Sequence, residues 1–217
     1  MKYDFDHLNE RKEYASEKWY GPQGELGAGD PIPLSIADMD FQAPQPVVDR
    51  LVETARCGVY GTVRRPESYY DAIIGWMKRR YHWNIQKEWI GAAPRIIPAI
   101  GFAVQALTQP GDRVIFQPPT YDNFPSIVEK AGREAVANPL IFENGGYHMD
   151  LCDLARKAGD PRCKMLILCN PQNPVGRAWS REELEEAGRI CLENGVVVLT
   201  DQAYADLTMP THELVPF

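Results

Sequence analysis

Three segments end in side chains that could do chemistry together. DQAY, Asp201 to Tyr204, places a carboxylate three residues before a phenol; CNPQNPVG, Cys169 to Gly176, carries the amide of Asn173; QPPTY ends on the ring of Tyr121. Each is bland alone. An acid and a tyrosine at this spacing arise by chance, a tyrosine after Pro-Pro-Thr usually packs, and Asn-Pro is a turn signal because proline lacks a backbone donor and biases the residue before it away from helix. Grouped in one crevice, the set would suit a pyridine ring. A carboxylate facing the ring nitrogen holds it protonated, so that the ring can accept electrons from a developing carbanion. At a separation of about 4 Å and an effective dielectric near 20, that attraction is of order 4 kcal/mol. It would raise the nitrogen's pKa by up to roughly three units before desolvation takes part of this back. The amide and the phenol would hydrogen-bond a ring oxygen, and Tyr121 would stack on the face.

These side chains meet only if the elements carrying them bring them to one edge. RVIFQ, Arg113 to Gln117, reads as a buried strand, as do Lys164 to Cys169 and the run VVVLT that ends at Asp201. Between them the pattern predicts a helix over Asp122 to Ala131, a strand near Glu134 to Pro139 and a helix from Asp150 to Ala158. Ser180 with Glu183 three residues on forms a capping box for a further helix. Its Leu184, Ala187 and Cys191 make one apolar stripe, and it stops at Asn194-Gly195. Upstream, Tyr69, Ile73, Trp76, Met77 and Tyr81 recur at helical steps after Pro66 and are expected in the core. A helix beginning near Pro98 is expected to turn Phe102, Ala103, Ala106 and Leu107 inward and to end before Pro110. Strands alternating with helices imply an α/β fold, a mainly parallel sheet flanked by helices. Ligands of such sheets bind outside the carboxyl ends of the strands, which is where Tyr121, Asn173, Asp201 and Tyr204 fall. The first 60 residues differ: polar and aromatic, with Gly and Pro crowded into Tyr20 to Pro33, they read as an extended arm and loop.

Bulk properties exclude several classes. A chain of 217 residues with 44% hydrophobic content can bury a sizeable core. Its apolar runs fall far short of the roughly 20 residues a membrane span needs, and MKYDFDHLNER lacks an apolar signal core, so a cytoplasmic location is expected. The net charge of -7 argues against a nucleic-acid partner. The basic cluster KRRYH, Lys78 to His82, reads as a solvated helix face. Five scattered cysteines with no C-x-x-C pair read as buried free thiols, and no histidines stand at metal-ligand spacing. GAGD has the start of a dinucleotide fingerprint but no preceding strand and no third glycine, which sets a nicotinamide-dependent dehydrogenase aside.

NPQNPVG followed by DQAY resembles the class I/II aminotransferases of the fold-type I pyridoxal phosphate superfamily. SIADMDF, Ser35 to Phe41, and RPESYYDAIIGWMKRRYHW, Arg65 to Trp83, resemble its branch of cystathionine β-lyase-like C-S lyases. The resemblance covers essentially the whole chain. It implies pyridoxal 5'-phosphate as cofactor, amino acid substrates, and a homodimer with sites shared across its interface. By position it puts the pyridine-nitrogen partner on Asp201, the ligands of the ring's phenolate oxygen on Asn173 and Tyr204, and the stacking ring on Tyr121. The phosphate cradle falls on Arg95, Ile96 and Ile97 at a helix start, where free N–H groups and the dipole attract an anion. Ala37 and Asp38 would line the substrate side, and Tyr60 would reach a neighbouring subunit's site. Two positions depart from the branch, which usually has histidine where Tyr204 stands and glycine where Arg95 stands. The domains implied are an N-terminal arm with a segment of the small domain over 1–60 and part of the cofactor-binding large domain over 61–217.

The resemblance also implies a Schiff-base lysine on a segment following D-x-x-Y, and no lysine occurs after Lys164. Lys164 begins the strand that delivers Asn170; about five residues at roughly 3.3 Å each put it some 17 Å from the crevice. The lysine is therefore expected beyond Phe217, together with the small C-terminal domain, and this chain alone is expected to be inactive. Two enzyme readings remain, a C-S β-lyase and an aminotransferase. The alternative from another class is a non-catalytic fragment or binding module that keeps the fold as a scaffold.

Overall fold

A computed structural model describes residues 3–9, 11–19, 33–34 and 36–217, so most of the expected arm at Tyr20 to Pro33 lies outside the described residues. The chain divides into two compact units, Met1–Arg64 and Arg65–Phe217. In the first, helix α1 (Gln45–Cys57) starts after Pro44 and ends on Gly58, whose φ of 68° suits the left-handed cap and whose N–H bonds Ala55 O. This helix falls within the first 60 residues, expected as an extended arm and loop, and corrects that expectation.

The second unit runs α2 (Glu67–Tyr81), α3 (Ile96–Leu107), β1 (Arg113–Phe116), α4 (Asn123–Lys130), β2 (Glu134–Ala137), β3 (Ile141–Glu143), β4 (Gly146–His148), α5 (Leu151–Ala158), β5 (Cys163–Cys169), α6 (Arg181–Glu193) and β6 (Val197–Asp201). Four strands form one sheet in the order β2-β1-β5-β6, every pair parallel. β5 is buried throughout except Lys164, as a central strand covered on both faces must be. Alternation along the strands sorts the core into two. Val114, Met165, Ile167 and Cys169 pack with Ile100 and Val104 of α3 and Phe124 and Val128 of α4. Ile115, Leu166 and Leu168 pack on the other face with Leu154 and Ala158 of α5 and Leu184, Ala187, Ile190 and Cys191 of α6. The order places β1 and β5 side by side with their following connections leaving in opposite directions, so the crevice of a topological switch point opens at their carboxyl ends.

Local signals explain the boundaries. The Asp150 side chain accepts from Asp153 N–H at 2.9 Å to start α5. Ser180 and Glu183 make the reciprocal capping box of α6, which ends before Gly195 at a φ of 66°. Two expected faces are wrong. α2 has no buried residue, and Tyr69 and Trp76 are exposed rather than in the core. In α3 the buried pair is Ile100 and Val104, while Phe102, Ala106 and Leu107 are exposed and Ala103 is half-buried. That helix is apolar on all sides, so periodicity identifies it without fixing its inner face. The β3–β4 hairpin went unread although its turn, Asn144-Gly145, has the positive φ values of 52° and 78° that an Asn-Gly pair supplies. Of the five cysteines, Cys57 and Cys152 are exposed, so the expectation of buried thiols holds for three. Among the described residues no helix is long and apolar enough to cross a membrane, and no metal-binding cluster occurs.

Candidate functional site

The two Asn-Pro pairs after β5 do different work. Asn170 is fully buried and consumed by structure: its N–H continues the ladder to Asp201 O at 2.9 Å, its Oδ1 accepts from Trp179 N–H at 3.1 Å, and its Nδ2 donates to Val215 O at 2.9 Å. Trp179, buried, adds its indole N–H to Cys169 O at 2.9 Å. Proline at 171 then ends the strand. Gln172, also buried, donates from Nε2 to Pro119 O at 2.9 Å, and its backbone N–H reaches Arg177 O at 2.8 Å. This clamp joins the loop after β5 to the loop after β1. The second pair follows on the braced turn and leaves Asn173 half-buried; its backbone N–H meets Cys169 Sγ at 3.5 Å while its side-chain amide has no partner among the described residues. Asn170-Pro171, Asn173-Pro174 and Pro118-Pro119 are cis.

Asp201 closes β6 directly opposite Cys169 in register. Its Oδ1 accepts from Ala203 N–H at 3.0 Å, and no cation pairs with it among the described residues. Burial raises its pKa above the usual carboxylate value, partly offset by that backbone hydrogen bond. A carboxylate in this state lacks a counter-charge, and a cationic ligand atom would supply one. The Cys169 thiol is pushed up to about 11 by burial, with the Asp201 charge adding to the shift, so it is no nucleophile at neutral pH.

Asp201 lines a cavity of about 270 Å³ with Ile96, Ala99 and Ile100 of α3, which brings the acid to the start of that helix. The helix start is uncapped: among the described residues no side chain bonds its first turn, which holds no acidic residue. The N–H groups of Ile96 and Ile97 therefore lack an intrahelical acceptor, and Pro98 has none to give. Arg95, exposed at the N-cap, has no ion-pair partner among the described residues. It lines a shallower space with Ile96 and Ala99 that adjoins the Asp201 cavity. Asn173 and Tyr204 share a larger cavity of about 770 Å³, floored by Trp179 and Val215. Tyr204 is half-buried, with its hydroxyl unpartnered among the described residues. Tyr121 lines neither cavity; its ring packs edge-on against Phe124, with centroids 5.8 Å apart. The structure thus gathers Asp201 with Ile96, and Asn173 with Tyr204, at one edge of the sheet, and leaves Tyr121 beside them on the core.

Ala37, Asp38 and Tyr60 belong to the amino-terminal unit, and Ser35 of the same motif lies outside the described residues. Asp38 is exposed and pairs with Arg11 at 3.3 Å, while Tyr60 donates its hydroxyl to Ala55 O at 2.7 Å. The acid of that motif with the most partners is Asp40, which takes Lys18 Nζ at 2.7 Å and the Trp19 indole N–H at 2.9 Å. The lysine, then the indole, hold its pKa below the usual carboxylate value. Neither Asp40 nor Gln172 stands out as a candidate in the sequence. The M-D-F spelling and the glutamine between two Asn-Pro pairs were visible, but their partners lie tens of residues away.

The sequence profile of the aminotransferase class I and II family matches residues 29–216. The chain belongs to that family. Cystathionine beta-lyase PatB of Bacillus subtilis (strain 168) is 43% identical over 215 residues, which cover 99% of this chain and 55% of PatB. Crystalline cystalysin from Treponema denticola, which contains a pyridoxal 5'-phosphate cofactor, superposes with a TM-score of 0.93 at 33% identity, covering all of this chain (100%) and 55% of that one. The PLP-bound C-S lyase from Staphylococcus hominis gives a TM-score of 0.89 at 28% identity, over 99% of this chain and 54% of that one. This chain therefore spans about half the length of the family members it matches. The parallel sheet flanked by helices is the fold they share with it.

Proposed function

We propose that the carboxyl edge of the sheet holds pyridoxal 5'-phosphate, and that the protein built on this chain is a C-S β-lyase acting on cystathionine-like amino acids. The observation that carries the reading is Asp201: a carboxylate whose pKa burial raises, without a cation among the described residues, in one cavity with an uncapped helix start. The residues present fit the group. Asp201 would face the pyridine nitrogen; Asn173 and Tyr204, whose side-chain polar atoms have no partner among the described residues, would take the ring oxygen; Tyr121 would lie against the ring face. The N–H groups of Ile96 and Ile97 would take the phosphate, with Arg95 adding a positive charge. When bound, the cofactor supplies an electron sink for a carbanion formed at the substrate's α-carbon.

This chain's own part is to orient and polarise. Asp201 holds a proton on the ring nitrogen by charge, an interaction strengthened by the partly desolvated setting that raises its own pKa. Gln172 fixes the spacing between the loops that bear Tyr121 and Asn173. None of Lys78, Lys87, Lys130, Lys157 and Lys164 lines the cavities at this edge, so the lysine that attaches the cofactor and moves protons is proposed to lie outside residues 65–217. Ala37 and Asp38 on the substrate side, Tyr60 at a neighbouring subunit's site, a homodimer and a cytoplasmic location complete the proposal, supported by the family to which the chain belongs.

A second reading, an aminotransferase, is favoured by Tyr204, since D-x-x-Y is the spelling of the wider family. Pyruvate release from cystathionine, measured against keto-acid-dependent amino transfer in the protein carrying this chain, separates the two. Release without appreciable transfer is the expected result, and transfer without release would overturn the lyase assignment.

A further inference from the structure

Residues 202–207 carry Tyr204 away from the end of β6 on few bonds. Inside the stretch, Ala205 N–H reaches Gln202 O and Leu207 N–H reaches Tyr204 O, each at 3.0 Å. Its side-chain tie to other elements is Asp206. One oxygen of that carboxylate, Oδ1, accepts from the Tyr81 hydroxyl at 2.6 Å and from the Trp76 indole N–H at 3.2 Å, and Arg80 Nε lies 3.6 Å away. All three partners stand on the last turns of α2, a helix with no buried residue of its own. Arg80 also stacks over the Trp76 ring at 5.7 Å, which steadies both donors. Burial and the bond to Asp206 push the Tyr81 phenol up to about 12, so it remains a donor across the neutral range. The helix that the sequence pattern placed in the core therefore serves as an outrigger whose polar end grips the turn.

We propose that Asp206 is a positioning residue: gripped by Trp76, Arg80 and Tyr81, it fixes the turn over 202–207 so that the Tyr204 hydroxyl stays in the cavity it shares with Asn173. The ligand part of this inference rests on the proposed cofactor reading; the restraint on the turn does not. Trp76→Phe and Tyr81→Phe each remove one donor without changing a residue of the turn, and Asp206→Asn keeps an acceptor oxygen where Asp206→Ala keeps none.

The test pairs amide hydrogen exchange over 202–207 with affinity for pyridoxamine 5'-phosphate, which has no aldehyde to react with surface lysines. Asp206→Ala should speed exchange of the turn and weaken binding, each by about tenfold, and Tyr81→Phe by about threefold, in line with loss of hydrogen bonds to a charged, half-exposed acceptor. Asp206→Asn should recover part of both losses. In a Tyr204→Phe background, Asp206→Ala should change affinity by less than about twofold, because the group it positions is gone. Unchanged exchange over 202–207 in both Asp206→Ala and Tyr81→Phe would overturn the proposal, and so would an equal affinity loss with and without the Tyr204 hydroxyl. A wild-type chain that binds no ligand yet shows the exchange response would sink the cofactor reading and support the restraint.

Discussion

Burial makes the Asp201 charge costly in the ligand-free fold. Its pKa is raised in the fold, so it binds a proton more tightly folded than unfolded. The stabilisation this gives is full below the unfolded carboxylate pKa and is lost as pH rises through the raised value, leaving a desolvated charge at neutral pH. Asp201→Asn, which removes that charge and keeps an acceptor for Ala203 N–H, is therefore expected to raise the melting temperature of the ligand-free chain at pH 7. The gain should shrink toward pH 4. Gln172 makes the opposite case. It is buried with its Nε2 on Pro119 O, so Gln172→Met removes the hydrogen bond that joins the two loops and should cost about 0.5–1.5 kcal/mol in denaturant unfolding. Residues at strand ends were legible because hydrophobic runs stop where the polar group begins, as VVVLT does before Asp201. Gln172 was not, because what makes it matter is a carbonyl 53 residues away.

The elements were read best where the chain carries its own punctuation. Ser180 and Glu183 announce α6 by spacing alone, and both halves of the capping box form. Ser180→Ala removes the acceptor for Glu183 N–H and should cost about 1 kcal/mol of stability, read by chemical denaturation. In β5 the cost should be larger. Leu166 is completely buried between α5, α6 and the neighbouring strands, and Leu166→Ala should lose about 2–5 kcal/mol. Helix faces were less legible than helix existence. Periodicity in α2 marks one side of a helix, but whether that side meets a core depends on what packs there, and α2 meets Asp206 instead. α3 is apolar all round, so Ile100 and Val104 are selected by the position of β5, β6 and α4 against them.

At the scale of the molecule, the strand order β2-β1-β5-β6 turns separate short motifs into one edge. No motif encodes that order; it follows from right-handed crossovers on a parallel sheet, and it puts NPQNPVG next to QPPTY and DQAY. The edge is divided between two cavities rather than gathered into one, with Asp201 in the smaller and Asn173 and Tyr204 in the larger. A ring held by all three would span that division, and on the proposed reading Asp201 is the group that charges it. Titrating pyridoxamine 5'-phosphate into the wild-type chain and into Asp201→Ala, by calorimetry at pH 7, tests this most directly. Saturable binding to the wild type and at least a tenfold weaker association in the variant are expected, from loss of a partly desolvated ion pair of order 1.4 kcal/mol or more. Equal affinity in the two proteins, or no binding to either, would contradict that reading.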